Sequence, residues 1–155
     1  DVNSIYAYQY PVLARDREHT GGHDICLLKR PNGRFRHYYV KYIPKVAEFR
    51  VHVIGDTSFI SQKLPWNKGS NPVCWNTGNG FKFRDIGIYR SVNLTHSIRD
   101  LAHRALTVLD YDFGAVDVIL DEWDVPYCLE VNSAPALAKH RIRKYIDLIK
   151  FNFVR

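Results

Sequence analysis

The chain has 155 residues, 46% hydrophobic and 25% charged, with a formal net charge of +6 at pH 7. That is enough for one packed domain of ordinary composition, and no run approaches the roughly 20 apolar residues of a membrane span. The first residues do not form a signal peptide, and three scattered cysteines (Cys26, Cys74, Cys128) exclude a disulfide framework or zinc site, so a cytoplasmic compartment is expected.

VLAR (12–15) reads as a strand entering a polar, glycine-bearing loop, DREHTGGHD, with ICLLK as a second strand. PNGR (31–34) has hairpin-turn chemistry. FRHYYVKYI is a β-rich run, and AEFRVHVIGD alternates as a half-buried strand ending at a Gly-Asp turn. From Thr57 to Ser91 the pattern is irregular but strand-like, with an Asn-Gly turn signal in TGNGFKF. NLTHSIRDLAHRALTVLD is the clearest helix, with Leu94, Ile98, Leu101, Ala105 and Val108 at helical spacing. ALAKHRIRKYIDLIK reads as a second, strongly basic helix. Mixed β structure with two late helices indicates α+β.

Between the helices lies FGAVDVILDEWDVPYCLEVNSAP, two apolar runs each with a carboxylate inside. Pairing them as a hairpin with Asp117 opposite Glu130 sets Ile119 against Cys128 and Asp121 against Pro126, leaving a four-residue loop, Glu122 to Val125. The period of two then places Asp117, Glu130 and Asn132 on one face, with Val116, Val118, Leu129 and Val131 on the other. Two carboxylates this close require a cation between them or a shared proton. Hard oxygen donors suit Mg²⁺, with phosphates and water completing its shell. An ion pair with nearby Arg or Lys accounts for the acids equally well. Asn132, a neutral oxygen donor on the same face, supports the metal.

FGAVDVILDEWDVPYCLEVNSAPAL resembles the C-terminal motif of ATP-grasp enzymes: an Asp, then Glu-x-Asn, then a small-residue and proline segment. The likeness is strongest to the phage-borne and ribosomal-protein-modifying carboxylate–amine ligases. It implies that Asp117, Glu130 and Asn132 bind two Mg²⁺ ions that bridge the nucleotide phosphates. VKYIPKVAEFRVHVIGD resembles the family's hinge, which implies Val40, Lys41, Tyr42 and Ile43 at the adenine, Glu48 at the ribose and Arg50 at phosphate or substrate carboxylate. PVLARDREHTGGHDI resembles the cationic strand and glycine-rich phosphate loop, implying Arg15 as the cation and Thr20, Gly21 and Gly22 as the loop. WNTGNGFKF resembles a stretch that would place Asn76 in the acceptor site.

The resemblance implies an α+β, ATP-grasp chain whose residues 1–39 form a lid-like β subdomain and 40–155 the hinge and metal-binding catalytic subdomain. With no methionine and no counterpart of the family's N-terminal domain, the chain reads as part of something longer. The implied activity is Mg-ATP-dependent joining of a small-molecule or peptide carboxylate to an amine through an acyl phosphate, with Arg15 and Arg50 catalytic. Asp24 where family members often have Gly, and Arg15 where Lys is usual, motivate a rival: a nucleotide-binding or structural module without catalysis. A basic nucleic-acid-binding domain is the third reading, from charge alone, and no recognition motif accompanies it.

Overall fold

The computed structural model describes residues 10–16, 25–31, 37–66 and 73–154. Eight strands and two helices follow in order: β1 (Val12–Arg15), β2 (Cys26–Leu28), β3 (Tyr38–Lys41), β4 (Ala47–Ile54), β5 (Thr57–Pro65), β6 (Phe81–Ile86), α1 (Val92–Val108), β7 (Phe113–Leu120), β8 (Pro126–Asn132) and α2 (Lys139–Phe153). The chain divides into two compact units, Asp1–Pro44 with Pro65–Lys82 and Lys45–Leu64 with Phe83–Arg155. The boundary expected between residues 39 and 40 lies within the β3 range. No helix among the described residues is long and apolar enough to cross a membrane.

The first unit holds a three-stranded sheet, β2-β1-β3, in which β1 pairs antiparallel with both neighbours and buries Val12 and Ala14. The Asn-Gly signal of TGNGFKF is realised as a short 3-10 turn, Thr77–Asn79, closed by Gly80 at φ +82°. The Asn76 side chain caps it by accepting the Asn79 N–H at 2.8 Å. The Trp75 ring stacks on Phe81 at 4.9 Å.

The five-stranded sheet runs β6-β5-β4-β7-β8, with β4–β5, β4–β7 and β7–β8 antiparallel. Strand period sends Phe49, Val51, Val53, Val116, Val118 and Leu120 to one face, where Ile98, Ala102 and Leu106 of α1 complete the core. Each such aliphatic removed from water contributes about 1.5–3 kcal/mol. Ser91 caps α1 by accepting the Leu94 N–H. The fully buried stripe is Thr95, Ile98, Ala102 and Leu106, and Val108, expected in the core, is 84% exposed. It is the last helical residue, and at 100° per residue it points well away from Leu106, the buried residue two positions before it.

α2 lies on the other face, where Tyr145, Leu137, Leu148 and Ile149 pack on Ile54 and Phe59. Its last turn reaches the two-residue β4–β5 turn, Gly55-Asp56, where Asn152 donates from Nδ2 to Thr57 Oγ1 at 3.1 Å. Gly55 has φ +54°, and a Cβ there would meet Asn152 Oδ1 at 2.7 Å. Gly55→Ala is expected to lower stability by about 1–2 kcal/mol, the cost of a left-handed backbone for an L side chain. Urea unfolding measures this, and an unchanged midpoint would contradict it.

Candidate functional site

The sheet face opposite α1 carries the charges. Registers align Ser61 of β5, Arg50 of β4, Asp117 of β7 and Glu130 of β8 in one cross-strand row. Arg50 grips Asp117 as a fork, Nε to Oδ1 at 2.6 Å and Nη2 to Oδ2 at 2.8 Å, and its Nη2 lies 3.9 Å from Glu130 Oε1. Lys63 donates to Asp117 Oδ2 at 3.3 Å and also to Glu48 Oε1, while Lys45 holds Glu48 Oε2. Asn132 donates from Nδ2 to Glu130 Oε1 at 3.0 Å.

Burial alone would push the Asp117 carboxyl up, since residue and charge are 4% exposed. The Arg50 hydrogen bonds and the charges of Lys63 and Arg50 outweigh it and hold the group below the usual carboxylate range. Arg50, likewise desolvated, is raised by its bonds to Asp117 and by the charges of Asp117, Glu130 and Glu48. Of the two readings of the paired acids, the ion pair describes Asp117: three of its lone-pair positions are occupied by cationic donors. Glu130 differs. Its side chain is 55% exposed, and Arg50 touches it only at the limit of an ion pair.

Beside this row sits a second cluster. Asp85 Oδ1 accepts from Ser61 Oγ at 2.7 Å and from Arg141 Nη2 and Nε at 2.7 and 3.1 Å. Desolvation raises the Asp85 carboxyl, but these bonds and the Arg141 and Lys144 charges lower it on balance. The guanidinium of Arg50, the Lys63 ammonium and the Arg141 guanidinium all lie within 5.8 Å of the Phe83 ring centroid. His52, 1% exposed, stacks on Phe59 at 4.4 Å and pairs through Nδ1 with the Tyr145 hydroxyl at 2.8 Å. Desolvation, then the Arg141 and Arg50 charges, pull its imidazole down to about 4. Desolvation pushes Tyr145 up to about 12.

The hairpin count needs one correction. Asp117 does oppose Glu130, but a bulge follows, so Val118 opposes Cys128, Ile119 opposes Tyr127 and Leu120 opposes Pro126. Leu129, expected in the core, takes up the extra residue and is half exposed. The bulge lets the loop grow to five residues, Asp121–Val125, because buried Asp121 organises it. Its carboxylate accepts the Trp123 and Val125 N–H groups at 3.0 and 2.9 Å and the Tyr127 hydroxyl at 3.0 Å. The Cys128 thiol is pushed up by partial burial and by the Asp117 and Glu130 charges.

The second unit thus brings together Glu48, Arg50, Asp117, Glu130 and Asn132. Glu48 is 3% exposed with both oxygens held by lysines, so a ribose hydroxyl would have to share them. Arg15 and the segment Val40, Lys41, Tyr42 and Ile43 belong to the first unit. There Val40 and Lys41 are strand residues of β3, paired with Leu13 and Val12, and Arg15 lies opposite Tyr38 with its guanidinium 5.6 Å from that ring. Thr20, Gly21 and Gly22 lie outside the described residues. Asn76 spends its side chain on the 3-10 cap. Sequence reasoning missed Lys63, Ser61 and Asp85. The two-residue Gly55-Asp56 turn was the available signal, since it sets Arg50 opposite Ser61 and, two residues on, Glu48 beside Lys63.

Among the described residues no three His, Cys, Asp or Glu side chains are already grouped to hold a metal ion. The donor chemistry nonetheless fits a hard cation. Glu130 is open to solvent, Asn132 keeps its carbonyl oxygen free by donating through nitrogen, and Asp117 has one lone-pair position left. Glu48, Asp117 and Glu130 are balanced by Lys45, Arg50 and Lys63, so the row is near neutral without a metal. Such a site attracts a bare dication weakly and a metal–polyphosphate pair, which brings its own negative charge, more strongly.

No family model and no curated protein sequence matches the chain. Solved structures do. D-alanine–D-alanine ligase from Bacillus anthracis, complexed with ATP, superposes with a TM-score of 0.68 at 12% identity, over 98% of this chain and 56% of that one. A Chryseobacterium gregarium RiPP-associated ATP-grasp ligase, in complex with ADP and a leader and core peptide, gives 0.59 at 14% identity, over 97% and 50%. N5-carboxyaminoimidazole ribonucleotide synthetase in its ADP complex gives 0.60 at 16% identity, over 91% and 39%. The likeness is one of fold, and the chain spans about half the length of the first two.

Proposed function

We propose that this chain, which has the ATP-grasp fold, is the nucleotide- and metal-binding core of an ATP-dependent carboxylate–amine ligase. The observation that carries the reading is the Asp117–Glu130–Asn132 oxygen row beside the Arg50 guanidinium on one sheet face. The reaction passes the γ-phosphoryl group of ATP to a small-molecule or peptide carboxylate, and an amine then displaces phosphate from the acyl phosphate. Bound Mg²⁺, at one or two positions, would neutralise and orient the nucleotide phosphates. Glu130 and the Asn132 carbonyl would hold it, with Asp117 as the buried third donor. Arg50, fixed by its fork on Asp117, keeps the Nη2 side near Glu130 and offers positive charge where the transferring phosphoryl develops negative charge. No side-chain nucleophile is needed. The roles implied by the resemblance, Arg15 and residues 20–22 toward phosphate, residues 40–43 toward adenine and Glu48 toward ribose, belong to the same proposal.

One observation favours a second reading, a nucleotide-binding module without turnover: the Asp117 oxygens are already engaged by Arg50 and Lys63. Calorimetric titration separates binding from its absence. Mg-ATP is expected to bind, Mg²⁺ alone to give no resolvable heat, and Glu130→Gln to weaken Mg-ATP by at least about tenfold, roughly 1.4 kcal/mol. Glu130 is exposed, so its replacement spares the fold, whereas Asp117→Asn also disturbs a buried ion network. Unchanged affinity in Glu130→Gln would reject the metal assignment. Release of phosphate only when a carboxylate and an amine are both present would decide for the ligase.

A further inference from the structure

A cleft of about 500 Å³ opens in the second unit between α1 and the start of β5. It lies on the sheet face away from the carboxylate row, because Ser58, which lines it, pairs with Val53 of the α1-side core. α1 contributes His96, Arg99, Asp100 and His103, whose spacing of three, four and seven residues puts them on one face. The β4–β5 turn contributes Asp56. None of these five side chains makes a hydrogen bond or ion pair with a described residue, and Arg99 Nε is buried without a hydrogen-bond partner. An arginine and two aspartates that share a cleft without pairing are groups held apart, each still able to accept an outside partner.

The charges choose the ligand. A simple anion would find Arg99 but be opposed by two carboxylates, and a simple cation would find the carboxylates but be opposed by Arg99. A molecule carrying both signs satisfies all three. The seven lining residues are all polar or charged, which favours a hydrophilic ligand, and the cleft is open to solvent, which suits a small molecule held at the surface. We propose that this cleft binds a small hydrophilic zwitterion of the amino-acid class, at a site separate from the carboxylate row. Its carboxylate would lie on the planar Arg99 fork, with the Ser58 hydroxyl as a further donor. Its ammonium would lie between Asp56 and Asp100, with the His96 and His103 imidazoles flanking it along the helix.

The imidazoles make the test direct. Glycine, acetate and methylamine are titrated separately into the whole chain while the His96 and His103 ring resonances are followed by NMR. Glycine is expected to shift both saturably, with a dissociation constant of about 1–10 mM, while acetate and methylamine alone do so at least about tenfold more weakly. Arg99→Ala, at a half-buried position, and Asp100→Asn, at an exposed one, should each weaken glycine by about tenfold or more. The amide spectrum of each variant reports whether it folds, and either folded variant suffices. Equal shifts from all three probes, no saturation, or unchanged glycine affinity in a folded variant would overturn the proposal.

Discussion

Arg50→Ala is expected to lower the unfolding free energy by about 3 kcal/mol, the low end of the range for stranding one partner of a buried ion pair. Asp117 would lose the fork and keep only Lys63, and the Phe83 ring would lose the Arg50 guanidinium that lies over it at 4.9 Å. The pH dependence carries a sign that distinguishes this from simple loss of packing. With Arg50 gone, burial dominates and drives the Asp117 carboxyl upward. The variant's deficit should then shrink as pH falls through that raised value, because protonation relieves the stranded charge. Combining Arg50→Ala with Asp117→Asn should cost less than the two single changes added together, by about 1 kcal/mol or more. Urea unfolding at several pH values measures all of this. A loss below about 1 kcal/mol would mean that the pair behaves as an exposed one.

The second large effect is acid destabilisation through His52. Its folded value of about 4 lies below the ordinary 6.5, so as pH falls the unfolded chain takes up the proton first. Stability held by the neutral ring is fully present above about pH 6.5, declines from there, and is gone below about 4. Across that window, at about 1.4 kcal/mol per pH unit, the total is about 3 kcal/mol. Asp85 and Asp117 also titrate, but both are held below 3.8, so their contributions are lost beneath the His52 window. His52→Phe keeps the stack on Phe59 and removes the titration. It is expected to unfold with nearly pH-independent midpoints between 6.5 and 4.5, while the parent loses stability steadily. Parallel curves for the two proteins would refute the assignment.

Several features were legible in residue order because they depend on local periodicity. The strand period of 113–132 was enough to set Asp117 opposite Glu130 and put Asn132 on their face, and the helical period was enough to find both helices. The same counting went wrong one residue later. Nothing local announces that Asp121 will collect two backbone N–H groups and a tyrosine hydroxyl, and that contest moved Leu129 out of the core. Val108 failed for a related reason: a helical stripe is legible, but which edge of it faces the sheet is set by packing, which chose Thr95, Ile98, Ala102 and Leu106. The site's cations were the larger omission. Lys63, Ser61 and Asp85 sit in segments whose alternation is weak; the β4–β5 pairing brings Lys63 and Ser61 beside Glu48, Arg50 and Asp117, and β6, next in the sheet, brings Asp85 to Ser61.

Residue order by itself determined the chemistry available on the sheet: two acids and an amide on one face, a basic residue two past Glu48, aliphatics behind. Tertiary structure decided how those charges are spent. An ion pair depends on distance across strands rather than along them, and Arg50 and Lys63 reach Asp117 from 67 and 54 residues away in sequence. The carboxylate that looked most like a metal ligand is thereby the one most firmly held by the protein. Its partner Glu130, at the sheet edge and half open to water, is the one left able to meet a ligand.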